Sequence, residues 1–291
     1  MNDAPATAAR ATHAPAGESI LEADEVVKHF GGIYAVDGAS LEVTQGSITA
    51  LIGPNGAGKT TFFNVITGFY RSDGGAASFD GDPILGRSPH RIAQLGMVRT
   101  FQITKALARM SVLDNMMLAA PDQPGEHLLG LITKPRAVRR REREVRDDAL
   151  ELLEGFNLAK LADDYAGTLS GGQRKLLELA RALMTKPRML LLDEPMAGIN
   201  PTLGRRLLDH MQRLRGEEGV TFLFIEHDME VVMNHSDRVI VMASGRVIAD
   251  GTPDQVRSDE KVIDAYLGAH SGGTGNGGGA RPAAPEGGKS R

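Results

Sequence analysis

Short apolar runs alternate with amphipathic stretches along most of the chain. Residues 20–28 and 40–44 read as strands, the second with apolar side chains at every other position, the period of a half-buried pleat. Residues 47–53 form a brief apolar run entering a glycine-rich turn, and residues 59–69 continue it as a helix. Residues 189–193 and 220–226 are apolar almost without interruption, as expected of strands buried on both faces of a parallel sheet. Residues 176–184 and 203–214 carry apolar positions at helical spacing. Residues 237–244, Gly245 and residues 246–250 read as a hairpin. This alternation predicts an α/β fold.

The middle of the chain differs. From about Val112 to Leu161 the pattern is helical, and residues 104–168 read as a helical insertion. It carries a basic run of Lys134, Arg136, Arg139, Arg140, Arg141, Arg143 and Arg146 against Glu142 and Glu144. Such a run is either a solvated helix face or a surface for anionic headgroups or an acidic partner. The Ala-rich residues 1–18 and Gly-rich residues 269–291 offer too little apolar surface to offset ordering entropy, so both ends are expected to be disordered tails. The folded body is then about residues 19–268. No internal repeat is visible.

Composition narrows the function. The formal charge is −4 and tryptophan is absent, which argues against a basic surface or an aromatic platform for nucleic acid. The lack of cysteine excludes disulfides, Cys-ligated zinc and a thiol nucleophile. No run approaches the ~20 apolar residues that span a bilayer. The first residues lack the apolar core of a secretory signal. The expected location is the cytosol, at a membrane only through a partner.

Gly53-Pro54-Asn55-Gly56-Ala57-Gly58-Lys59-Thr60 matches the phosphate-binding pattern G-x-x-x-x-G-K-[ST]. Its glycines let backbone amides approach phosphates, and the helix N-terminus behind them favours anions. Lys59 adds a point charge at the β- and γ-phosphates, and the Thr60 hydroxyl suits Mg²⁺. A second signal is the apolar run ending in Asp193-Glu194, carboxylates at the carboxyl end of a buried strand. Asp193 suits the Mg²⁺ shell and Glu194 a base that polarises water.

Leu169-Ser170-Gly171-Gly172-Gln173 opens a helix and is either an anion-binding turn or an ordinary N-cap by Ser170. Together with the other motifs it resembles the signature of ABC-type ATPases. The resemblance implies a P-loop ATPase domain with a mixed-sheet core, a β-subdomain and an inserted helical subdomain, binding ATP and Mg²⁺. It implies that Gly53 to Thr61 cradle the nucleotide of one subunit while Ser170, Gly171, Gly172 and Gln173 complete the site of the other. It places Phe30 against adenine, with core packing the alternative. It makes Gln102 a sensor of Mg²⁺ and the γ-phosphate, and His227 the switch residue that helps hold Glu194 and water. The other histidines, His210 among them, have no such context.

The likeness is greatest to the ATP-binding subunits of branched-chain amino-acid importers. The segments that carry it are residues 62–68, Val98-Arg99-Thr100-Phe101-Gln102, residues 193–201, Ile225-Glu226-His227-Asp228-Met229 and Ala265-Tyr266-Leu267-Gly268. Implied partners are transmembrane permease subunits, a second ATPase subunit and, indirectly, an extracytoplasmic substrate-binding protein, with the chain peripheral on the cytoplasmic face of the membrane. Urea, amides or other amino acids as cargo, a non-transport ABC ATPase and a silent scaffold are the competing readings. The chain departs from the general family at Asn200, where Asp is usual, and from the importer group in residues 103–112.

Overall fold

The computed structural model describes residues 17–100, 107–121 and 135–271. The expected tails fall almost wholly outside these residues, as do Gln102 and Lys134.

Two sheets form the body. In the first, β1 (Ser19–Phe30), β2 (Ile33–Thr44), β4 (Gly74–Phe79) and β5 (Asp82–Pro83) pair antiparallel in the order β2-β1-β4-β5. The second contains β3 (Ile48–Ile52), β6 (Met97–Arg99), β7 (Met189–Asp193), β8 (Thr221–Ile225), β9 (Arg238–Ala243) and β10 (Arg246–Gly251), ordered β10-β9-β3-β8-β7-β6. Its pairings are parallel except between β9 and β10, the hairpin read from the sequence. The sheet is therefore mixed.

Every residue of β3, β7 and β8 is buried because both faces of this sheet are covered. Alternation sorts the side chains. Leu190, Leu192, Phe222 and Phe224 enter one apolar cluster, while Met189, Leu191, Leu223 and Ile225 enter the other. The second cluster joins the first sheet and α1 (Lys59–Ile66). The first cluster joins the helical residues, including α3 (Val112–Met117), α4 (Pro135–Gly155), α5 (Gly171–Leu183) and α6 (Pro201–Glu218). The short helix α2 (Pro89–Gln94) precedes β6. Beyond α6 lie α7 (Met229–His235), α8 (Pro253–Arg257) and α9 (Glu260–Ser271).

Several elements differ from the sequence reading. β1 and β2 are longer because they pair as a hairpin, and Ile33 and Tyr34 extend β2 although exposed. α1 stops at Ile66, before Phe69, because Gly68 turns the chain at φ 77°. Within the helical insertion, α4 buries Val145, Ala149 and Leu153 and leaves Arg136, Arg139, Arg140, Arg143 and Arg146 exposed. Among the described residues, no helix is long and apolar enough to cross a membrane.

Candidate functional site

The loop 53–58 connects β3 to α1 and passes tightly between other strands. A Cβ on Gly53 would lie 2.0 Å from the Met242 carbonyl oxygen, and one on Gly58 would lie 2.1 Å from that of Ala35. Their φ angles are 146° and 99°, so both space and backbone require glycine. Gly58 caps α1 without a side-chain hydrogen bond, leaving the first-turn amides to other acceptors. Lys59 is buried, and its Nζ donates to the Gly53 and Pro54 carbonyls at 2.7 and 3.0 Å. Burial lowers its pKa, and the negative fields of Glu194 and then Asp193 oppose that shift. Asn55 and Gly56 are exposed on the loop, Thr60 is exposed in the first turn of α1 and Thr61 is half-buried.

Asp193 and Glu194 stand where β7 ends, at the carboxyl edge of the parallel strands. Asp193 Oδ2 accepts from Arg99 Nη2 at 2.8 Å, whereas its buried Oδ1 has no hydrogen-bond partner. A buried carboxylate oxygen left over in this way suits a hard cation, and the exposed Thr60 hydroxyl is an oxygen ligand of the same kind. The residues present thus fit Mg²⁺. Glu194 adopts a left-handed φ of 50°. Its Oε1 lies 3.0 Å from His227 Nε2, joining the acid after β7 to the imidazole after β8. Such a pair can take a proton from water and hold it.

Phe30 closes β1 with its ring 47% exposed and edge-on to Tyr70 at 5.4 Å, so it is not a core residue. Ser170 caps α5 in a capping box: its Oγ accepts from the Gln173 amide at 3.3 Å, and Gln173 Oε1 accepts from the Ser170 amide at 2.9 Å. Ser170 and Gly171 are exposed, while Gly172 packs against Leu203. Among the described residues, no hydrogen bond or ion pair joins residues 170–173 to the 53–61 loop. Lys59, Asp193, Glu194 and His227 are brought together and the 170–173 segment presents a separate exposed end.

Residues 36–197 match the ABC transporter family. The chain belongs to that family. Residues 246–271 of this cassette also match the family described as branched-chain amino acid ATP-binding cassette transporter. The cassette is 45% identical over 249 residues to the high-affinity branched-chain amino acid transport ATP-binding protein BraF of Pseudomonas aeruginosa, covering 86% of this chain and 98% of that one. It is 40% identical over 251 residues to the corresponding LivG protein of Escherichia coli K12, covering 86% and 98%. Among solved structures, a nucleotide-free ATP-binding cassette of an ABC transporter aligns with TM-score 0.73 at 41% identity, over 86% of this chain and 99% of that one. The ADP conformation of the cassette MJ1267 aligns with TM-score 0.73 at 39% identity, with the same coverage. This is the ABC ATPase fold, and the cassette is an ATP-driven transporter motor.

Several residues around the cassette's site carried no assigned role in the sequence. Arg99 Nη1 donates to Asn64 Oδ1 at 2.6 Å, so one guanidinium links β6, α1 and Asp193. The Gly53 amide donates to the Tyr266 phenol of α9, whose pKa is raised by burial and pulled back by that bond. Lys175 Nζ donates to the Glu194 carbonyl at 3.2 Å and to that of Ala197. Arg99 and Tyr266 lie inside segments that resemble the importer group, yet their partners come from distant elements. Asn200 caps α6, its Oδ1 accepting from the Leu203 amide at 2.8 Å. Asp could cap the helix in the same way.

Proposed function

We propose that this cassette is the ATP-hydrolysing motor of a branched-chain amino-acid importer, peripheral on the cytoplasmic face of the membrane. The observation that carries the catalytic part is the convergence of Lys59, Asp193 and the Glu194–His227 pair at the carboxyl edge of one sheet. The cargo follows from the names of the relatives and from the match of residues 246–271.

Each residue has a task. Amides of the loop after Pro54 and of the first turn of α1, with the Lys59 ammonium, hold the phosphates, and Phe30 offers its exposed ring to adenine. Asp193, Thr60 and Gln102 would hold Mg²⁺, which would supply neutralisation of phosphate charge. Glu194 accepts the proton of the attacking water. His227 orients Glu194 through their hydrogen bond and meets the γ-phosphate. Ser170, Gly171, Gly172 and Gln173 at the start of α5, the first two exposed, complete the site of a second ATPase subunit. Permease subunits contact the helical insertion, where Leu107, Leu118 and Tyr165 are exposed, and the extracytoplasmic binding protein is reached only through them.

Glu194→Gln tests the chemistry. It retains ATP binding, loses most turnover and accumulates an ATP-bound dimer; hydrolysis at the wild-type rate would overturn the assignment. Vesicles holding the cassette with its permease test the cargo. They accumulate leucine, isoleucine or valine on addition of ATP and binding protein, and uptake of urea or amides alone would overturn the cargo reading.

A further inference from the structure

Glu226 is an acid where acids are seldom found. It follows β8, immediately before His227, and is only 4% exposed. Among the described residues it makes no ion pair. Its carboxylate is instead held by backbone amides from two separate loops. Oε1 accepts from the Met196 amide at 2.7 Å, and Oε2 accepts from the His227 amide at 3.1 Å. Burial raises its pKa; the Met196, His227 and Asp228 amides oppose this, and the nearby Glu194 adds to it.

A buried carboxylate without a cation is costly, so its presence calls for a reason. An ionised carboxylate is acceptor-only at both oxygens, whereas an amide of the same shape presents one acceptor and one donor group. Only the acid can receive the Met196 and His227 amides together.

The two loops it joins carry the two groups of the hydrolytic pair. Met196 lies two residues beyond Glu194, and His227 is the next residue after Glu226. Glu194 sits in a left-handed backbone conformation, which persists only where surrounding contacts over-determine it. Those contacts are the Glu194 amide to the Ile225 carbonyl at 3.0 Å, the Ala197 amide to the Glu194 carbonyl at 3.2 Å, Lys175 to the Glu194 carbonyl, and the Met196 amide to Glu226. Beside the Glu194–His227 bond itself, the Glu226 contact ties this loop to the turn bearing His227 through a side chain.

We propose that Glu226 is a positioning residue for hydrolysis. Its carboxylate clamps the loop after Glu194 to the His227 turn and so sets the register of the Glu194–His227 hydrogen bond. The same loop runs on to Asn200 at the start of α6, so a displacement there reaches His227 through Glu226. This inference rests on the roles assigned above to Glu194 and His227.

The test is a double-mutant cycle on the full chain, with kcat and KM for ATP measured for wild type, Glu226→Gln, His227→Ala and the double variant. Glu226→Gln lowers kcat by about tenfold or more, because small displacements of reacting groups are expensive. KM stays within about twofold, since the phosphate loop is untouched. In the His227→Ala background the further loss from Glu226→Gln shrinks to less than about twofold, the mark of residues acting through one another. An unchanged kcat in Glu226→Gln overturns the inference. So does an undiminished loss in the His227→Ala background, or a rise in KM that matches the fall in kcat and reveals general loosening. If His227→Ala alone leaves kcat unchanged, the assignment of His227 fails and the inference falls with it; a lowered kcat there with an additive Glu226→Gln effect sinks the inference alone. Should Glu226→Gln not fold, Glu226→Asp takes its place. It keeps the charge but is too short to reach both amides, and the same coupling to His227 is required of it.

Discussion

Arg99 Nη2 donates to Asp193 Oδ2 at 2.8 Å while the Asp193 side chain is wholly buried. The same guanidinium reaches Asn64 on the helix that follows the phosphate loop and lies over the rings of Phe63 and Phe69. One side chain thus fixes the acid at the end of β7 relative to α1. It also anchors the end of β6.

Removing Arg99 leaves a buried carboxylate without its cation. Arg99→Ala therefore lowers the unfolding free energy by about 3–5 kcal/mol. Arg99→Lys is milder but still destabilising, because an ammonium cannot bridge Asp193 and Asn64 as the planar fork does. Urea denaturation of the three proteins measures both effects. A change for Arg99→Ala within about 0.5 kcal/mol, as at an ordinary surface site, would show that the pair contributes nothing.

Ser170 separates stability from turnover. Its capping box on α5 is local, so Ser170→Ala costs about 1 kcal/mol of stability. The exposed segment is assigned to the nucleotide of a second subunit, so ATPase turnover falls far more than that small cost implies. Thermal melting and steady-state hydrolysis on one preparation make the comparison. Turnover at the wild-type level would remove Ser170 from the site.

His210 gives the fold a dependence on pH. It is 6% exposed, its ring centroid lies 4.0 Å from that of Phe156, and Arg213 Nη2 meets its Nδ1 at 2.9 Å. Burial, and then the Arg213 charge, lower its pKa from 6.5 to about 4. The unfolded chain therefore binds a proton in this window that the folded chain refuses. Stability from this residue is complete above pH 6.5 and is lost as pH falls toward 4. The loss is on the order of 3 kcal/mol, at 1.36 kcal/mol for each pH unit. His210→Phe keeps an apolar ring beside Phe156 and abolishes this component. Denaturant unfolding of both proteins across that range detects the difference, and parallel pH dependences would refute it.

Contiguous chemistry was legible in the chain. Residues 53–60, 170–173 and 193–194 owe their geometry to neighbours in sequence: glycine conformations, a helix cap, and acids at the end of an apolar strand. The largely apolar runs of β3, β7 and β8 follow from burial on both faces, and their alternation with helical stretches predicted an α/β fold. β4 and β5 were not legible, because Gly74–Phe79 is rich in small residues and Asp82–Pro83 is a two-residue edge that depends on pairing with β4.

The remaining relationships belong to the tertiary structure. Arg99 finds Asp193, Glu226 finds Met196, Tyr266 finds Gly53 and His210 finds Phe156 only after strands and helices far apart in sequence have packed. No spacing rule encodes such partners, since they depend on which elements become neighbours across the sheet. By itself the sequence nominated the groups proposed here to bind phosphate and move a proton. Tertiary packing decided which buried charges hold those groups in place, because burial makes the presence or absence of each partner energetically large.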